Sequence, residues 1–280
     1  MSDLHHPADD KLIIQPSENA GTSVDLLEAL VTHFSDGEAG LEDVDPKLIK
    51  QLREELSRGP WFSQDMKHLW IMMEKGLAVS QRSPGTNGQV RLLNLACGHC
   101  EEGAILSAFF GKLGSRVRQF AMDLRDREID KARRRYSATE QLFRKAGIPG
   151  IREEEEGNAV EFVADDATHL VGYGQIPAQF DVVFIRHQNL WHDKHIWRRI
   201  YEFALTRIEP ENGILMITSY FDREHLMALD MVKDLGGKVL FTGQNPNSRE
   251  LDYPGKTVDR HVAVIAQHEE GATNHLEIRK

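Results

Sequence analysis

The residues able to do chemistry gather where short apolar runs of the chain end. One run closes in Asn94-Leu95-Ala96-Cys97-Gly98-His99-Cys100-Glu101-Glu102-Gly103, and an apolar helical pattern through Ile105, Leu106 and Phe109 follows. Small residues in a tight strand-to-helix turn let a ligand approach the backbone, and the free amides of a helix start receive polar or anionic groups. Gly98 and Gly103 enclose four residues, which is not the Gly-x-Gly-x-x-Gly of dinucleotide folds and weakens a nicotinamide or flavin reading. Met122-Asp123 ends a second run. A carboxylate there accepts both hydroxyl hydrogens of a ribose, or simply caps the next helix. A third run ends in Val163-Ala164-Asp165-Asp166-Ala167. Such a carboxylate can accept from an exocyclic amine while the following amide donates to a ring nitrogen; an Asp pair after a strand is also ordinary turn chemistry. The fourth, Phe180–Ile185, leads into Arg186-His187-Gln188-Asn189-Leu190-Trp191-His192, polar and aromatic groups facing the reacting end of a ligand. His187 and His192 are the candidate catalytic bases, against a structural hydrogen-bonding role for each.

Two other chemistries compete at these positions. Cys97-Gly98-His99-Cys100 is a Cys-x-x-Cys between a strand and a helix, the arrangement of thiol–disulfide exchangers, in which a helix N-terminus lowers a thiol pKa. Ala96 stands where an aromatic would precede the first cysteine, and the chain is too rich in later strand–helix units for one thioredoxin-like domain. His187, His192 and His195 invite a metal, but no Cys or carboxylate cluster with ligand spacing accompanies them, so no metal is expected.

The elements that must position these groups follow from periodicity. Val90–Ala96, Val117–Met122, Val160–Ala164, Phe180–Ile185, Ile214–Thr218, Lys238–Thr242 and His261–Ala266 read as strands. Amphipathic helices are expected between them at Ile129–Lys145, Lys194–Ile208 and Arg223–Leu235. The alternation predicts an α/β fold with a mostly parallel sheet covered on both faces. The last two strands leave no room for a crossover helix and should pair as an antiparallel hairpin at one edge. Ahead of them, residues 21–88 form a helical region. One helix follows Thr22 and Ser23 as caps, a second starts at Asp45 with Pro46 in its first turn, and a third runs over Ser63–Val79. That third helix carries Trp70, Met72 and Met73 with Trp61 and Phe62 beside its start, and serves either as a lid or as core. Residues 1–20 read as a mobile tail, Glu153–Glu156 as a solvated loop, and 89–280 as the binding domain.

Composition bounds the setting. The 280 residues carry a net charge of −10, and an acidic surface repels phosphate backbones, so nucleic acid is not the expected partner. The mixed run Arg125–Arg135 also holds Asp126, Glu128 and Asp130 and reads as a solvated helix face. Two cysteines make no disulfide framework, and no apolar stretch is long enough to span a bilayer. A cytoplasmic location is expected, and the oligomeric state is not encoded in these patterns.

In their order along residues 89–267, these segments resemble the class I S-adenosylmethionine-dependent methyltransferases. Leu93–Gly98 resembles the glycine-bearing first motif and Asp123 the acid after the second strand. Asp166-Ala167 resembles the acid-plus-small turn after the third, and Phe180–Ile185 the buried fourth strand with its leading Asp. Ile208–Ile217 resembles the turn into the fifth. The resemblance implies a doubly wound, Rossmann-like seven-stranded sheet, with S-adenosylmethionine as cofactor and a small molecule or protein as methyl acceptor. It places Ala96 and Gly98 by the methionine end, Asp123 by the ribose and Asp166 with Ala167 by the adenine. Asn94, Cys97, Leu124, Asp165 and Arg186 complete the implied binding set. Two positions depart from the pattern: Asn94 stands where the first motif often opens with an acid, and Cys100 where a second glycine often follows. A narrower echo, in Ala96–Glu102, Met122-Asp123-Leu124 with Ala132 and Tyr136, and Phe184–Leu190, is of the chemotaxis receptor methyltransferases, which methylate protein carboxylates. The missing acid at Asn94 leaves open a methyltransferase-like scaffold without activity.

Overall fold

A computed structural model describes residues 25–35, 39–57, 62–85, 88–112, 116–145, 159–167 and 176–267. Three helices precede the sheet: α1 (Leu26–Phe34), α2 (Pro46–Leu56) and α3 (Phe62–Ser80). The expected caps Thr22 and Ser23 lie outside the described residues, as do the expected tail 1–20 and the acidic run Glu153–Glu156. Asp25 caps α1, its carboxylate accepting from the Leu27 N–H at 3.0 Å. Asp45 caps α2 in the same way, ahead of Pro46.

The α/β part follows as β1 (Gln89–Leu95), α4 (Gly103–Gly111), β2 (Arg116–Asp123), α5 (Asp126–Lys145), β3 (Ala159–Ala164) and β4 (Val182–Arg186). It continues with α6 (Lys194–Arg207), β5 (Ile214–Ser219), α7 (Asp222–Asp234), β6 (Lys238–Gln244) and β7 (His261–Ala266). The seven strands lie in the order β3-β2-β1-β4-β5-β7-β6. Strand β7 runs antiparallel to both its neighbours, and the other pairings are parallel. The hairpin partners β6 and β7 pair as expected, with β7 on the inside and β6 at the edge. This is a doubly wound, Rossmann-like α/β architecture. The chain order reverses between β1 and β4, so the switch point lies at their carboxyl ends, where ligands enter such sheets.

Alternate residues of the central strands feed separate cores. Leu92, Phe184 and Met216 pack with α1, α3 and α4, while Leu93, Ile185 and Ile217 pack with α6 and α7. Strand β5 is buried along its whole length, as a strand covered on both faces must be. Helix α3 is packed as core along its middle: Trp70 and Met73 are buried, Trp70 edge-on to Phe109 of α4 at 5.0 Å, and the helix lies along β6 and β7. The approach is close, since a Cβ on Gly76 would stand 2.8 Å from Val264 Cγ2. Two strand ends depart from expectation. Strand β1 stops at Leu95 because Ala96 turns to φ +53°. Strand β4 starts at Val182, not Phe180, because the Asp181 carboxylate instead accepts from the Arg91 N–H at 2.7 Å and from its guanidinium at 2.9 and 3.1 Å. Among the described residues no helix is long and apolar enough to cross a membrane.

Candidate active site at the strand carboxyl ends

The β1–α4 turn winds through left-handed backbone at Ala96, Gly98 and Cys100, with φ of +53°, +55° and +48°. Non-glycine residues adopt this region at a cost, and such strain concentrates at functional sites. The Cys97 N–H donates to the Met122 carbonyl at 2.9 Å, tying the turn to the end of β2. The Gly98 N–H donates to Asp123 Oδ2 at 2.9 Å. A Cβ at Gly98 would meet nothing closer than the Arg125 guanidinium at 3.6 Å, so the glycine is there for its φ and leaves an open floor.

Asp123 is 4% exposed. Burial alone would raise its pKa, but hydrogen bonds from the Arg125 side chain and N–H and from Gly98 outweigh it and hold the carboxyl below its ordinary value. Arg125 is bidentate: Nε lies 2.9 Å from Oδ1 and Nη2 3.2 Å from Oδ2. Leu124, 70% exposed, presents an apolar flank beside it. The Asp165 N–H donates to the Asp123 carbonyl at 3.1 Å, and Asp165 Oδ1 accepts from the Asp166 N–H at 2.6 Å, ahead of buried Ala167. Cys97, Gly98, Asp123, Leu124, Asp165, Asp166 and Ala167 therefore adjoin across the ends of β1, β2 and β3. An ionised buried carboxylate, an open glycine floor and an apolar flank fit a nucleoside, provided that Arg125 yields the carboxylate.

Asn94 and Arg186 are placed differently from the implied binding set. Both belong to a buried polar chain behind the turn. The Asn94 amide donates to Glu102 Oε1 at 2.7 Å. Glu102 Oε2 accepts from Arg186 Nη1 at 3.2 Å. Arg186 Nε and Nη2 donate to Asp259 at 3.0 and 2.7 Å. Asp259 Oδ1 also accepts from Thr218 Oγ1 at 2.8 Å and lies 2.8 Å from His187 Nε2. Glu102 and Asp259 are 3% and 2% exposed, and the two carboxylates share the one cation of Arg186. His187 stacks on Tyr220 with ring centroids 3.9 Å apart, and burial pushes its pKa below the ordinary value against the opposing pull of Asp259. His192 is exposed on the surface and does not join this group.

His187, Tyr220 and Arg186 wall a cavity of about 980 Å³, closed by Asp65 and Met66 of α3, by α5 and by the β6–β7 connection at Arg249 and Val258. Arg249 braces that connection on α3 through Asp65 at 2.7 Å. Glu101, in the same turn as Gly98, forms part of the wall. A second depression, of about 760 Å³, lies among α1, α2, α3 and α4 and includes no strand-end residue; position at the switch point selects the first as the site.

Cys97 is poorly suited to act as the attacking thiolate. A hydrogen bond with Cys100, burial, and the nearby charges of Glu102 and Asp123 push the Cys97 thiol well above its ordinary range. Cys100 is 8% exposed and accepts from the Asn94 and Gln119 amides at 3.5 and 3.8 Å. A reactive thiolate needs the opposite environment.

Sequence reading missed Arg125, Glu102, Tyr220 and Asp259. Tyr220 had a signal, its position just after β5. Asp259 had none, because it sits in an irregular connection and reaches the site only through the fold.

No protein-family model matches the chain, and no curated protein does. Solved structures similar to it include magnesium protoporphyrin IX methyltransferase from Synechocystis PCC 6803, at 11% identity over 88% of this chain and 99% of that one, with a TM-score of 0.47. The N-methyltransferase NodS from Bradyrhizobium japonicum WM9 is 15% identical over 76% and 100% of the two chains, with a TM-score of 0.46. A ribosomal protein L11 methylase from Lactobacillus delbrueckii subsp. bulgaricus is 11% identical over 71% and 79%, with a TM-score of 0.39.

Proposed function

We propose that this protein transfers a methyl group from S-adenosylmethionine to a small-molecule acceptor. The observation that carries the reading is Asp123: a buried, ionised carboxylate at the end of β2, bonded to the glycine turn of β1 at the switch point. S-adenosylmethionine, when bound, supplies an electrophilic methyl on a sulfonium. The chain's own work is to bind, align and exclude water. Asp123 would hold the ribose hydroxyls in place of Arg125, Leu124 would flank the adenine, and Asp165, Asp166 and Ala167 would close its edge. Asn94 acts from behind and Arg186 from the cavity wall, each holding Glu102 and hence the turn. The cavity of about 980 Å³ receives the acceptor; that volume suits a small molecule. His187, neutral because burial disfavours its cation, is the base for an acceptor that must lose a proton.

Calorimetric titration with S-adenosylhomocysteine tests this. Wild type should bind, and Asp123→Ala should bind at least about tenfold more weakly, the loss of a charge-assisted hydrogen-bond pair. A folded wild type that binds neither S-adenosylhomocysteine nor S-adenosylmethionine would transfer the weight to the scaffold reading, which the ion-paired Asp123 favours.

A further inference from the structure

We infer that Asp259 is a positioning residue: it holds His187 with Nε2 protonated, so that Nδ1 carries the lone pair at the cavity wall. The use of that lone pair as a base rests on the methyl-transfer reading above; the pairing itself stands on geometry. Nε2 lies 2.8 Å from Asp259 Oδ1 and 3.2 Å from the Asp259 backbone N–H. The two contacts demand opposite tautomers. With Nε2 protonated, the ring donates to the carboxylate; with Nε2 bare, it accepts from the amide. The amide contact has regular hydrogen-bond geometry and the carboxylate contact is an ion-pair distance; the shorter approach to an opposite charge favours the protonated Nε2.

The carboxylate is fixed in place. Arg186 holds it bidentately from β4, Thr218 from β5, and its own backbone sits at φ +46°. The ring is fixed as well, by its stack on Tyr220 and by left-handed backbone at φ +58°. The groups that face the pair are Arg186 from β4, Glu102 from the β1–α4 turn and Tyr220 after β5, with His68 of α3 in the field of Asp259. Arg186 is one cation shared by two carboxylates, Asp259 and Glu102, which leaves the cluster one negative charge to stabilise an imidazolium. An acceptor O–H or N–H would then pass its proton to Nδ1 and keep the electron pair for the new bond to the methyl carbon, whose bond to the sulfonium sulfur would break with its electron pair left on sulfur as a neutral thioether.

The test is a long-range 1H–15N correlation spectrum of ¹⁵N-histidine-labelled protein without ligand, titrated with pH. The His187 signal is assigned by its absence in His187→Gln. Wild type should show protonated Nε2 and bare Nδ1. Asp259→Asn should turn the ring toward the Nδ1–H tautomer and lower its pKa by about one pH unit, since an opposite charge is lost. A protonated Nδ1 in wild type overturns the inference, as does an unchanged tautomer and pKa in folded Asp259→Asn. If that variant does not fold, the wild-type tautomer decides alone. S-adenosylhomocysteine titration of the same sample separates the two claims: absent binding removes the base's use, while the tautomer still judges the pairing.

Discussion

Arg125 lies on the carboxylate that a ribose has to claim. Its guanidinium occupies both oxygens of Asp123 and is 64% exposed at the side chain. The guanidinium stands in water although Asp123 is buried, so the pair is screened by salt and contributes about 1 kcal/mol. Binding a nucleoside forfeits that contribution. Arg125→Ala should therefore bind S-adenosylhomocysteine about two- to fivefold more tightly than wild type in low salt, the advantage shrinking at higher ionic strength. Weaker binding by the variant would show that Arg125 contacts the ligand instead. The sequence made Asp123 legible because strand ends at a switch point are where such folds bind. It left Arg125 unread because a mixed charge run carries no sign that one of its side chains folds back onto its own strand end. His187 and His192 illustrate the same limit: both follow β4, yet only His187 turns onto Tyr220 and Asp259, by a left-handed φ that residue type does not announce.

At the scale of elements, α3 is held to the sheet by the absence of a side chain. Alanine at Gly76 would gain about 1 kcal/mol of helix propensity. It would also press a Cβ to 2.8 Å from the β-branched Val264 on β7. Overpacking of this kind costs about 1–3 kcal/mol, so Gly76→Ala should lower stability in urea denaturation by roughly 1 kcal/mol. Val264→Ala alone should also destabilise, by opening a cavity. Because the two residues touch, the double variant should be less destabilised than the two singles added together. Simple additivity would mean that α3 does not pack on β7 in this register. The elements themselves were readable, since Asp45-Pro46 marks a helix start and apolar runs mark buried strands. The insertion of β7 between β5 and β6 was not, because hydrophobic pattern specifies that a strand is buried but not which strands flank it. Asp259 reached the site by that insertion, from the connection that leads back into β7.

The whole molecule carries buried neutral histidines, and these set its response to acid. His33 of α1 is 4% exposed and His225 of α7 3%. Burial lowers their pKa values to about 4 and about 3, His225 being further depressed by the stacked His261 and partly relieved by Asp222. Unfolded, each would titrate near 6.5. Below that value the unfolded chain binds protons that the folded one refuses, so stability falls as pH falls. The slope is about 1.4 kcal/mol per pH unit for each histidine, or about 2.7 for both, until their folded values are reached. His68, His187 and His261, also lowered, act in the same direction. Glu224, whose buried carboxyl is raised, acts against them as it protonates. Asp123 and Asp259 add a second loss only below about pH 4, where the unfolded carboxylates begin to protonate before the folded ones. For a total stability of about 5–7 kcal/mol, the lower part of the usual range, the histidine slope alone should bring unfolding into the range of about pH 4–5. Urea denaturation at pH 7.5, 6 and 5 measures it directly. His33→Gln removes a titrating group while retaining a polar partner for Tyr136, 3.2 Å from the His33 ring. Whatever its stability at pH 7.5, its slope between pH 6 and 5 should be shallower than wild type by about 1.4 kcal/mol per unit. An unchanged slope would mean that His33 is hydrated in the folded protein, and that α1 does not close over it.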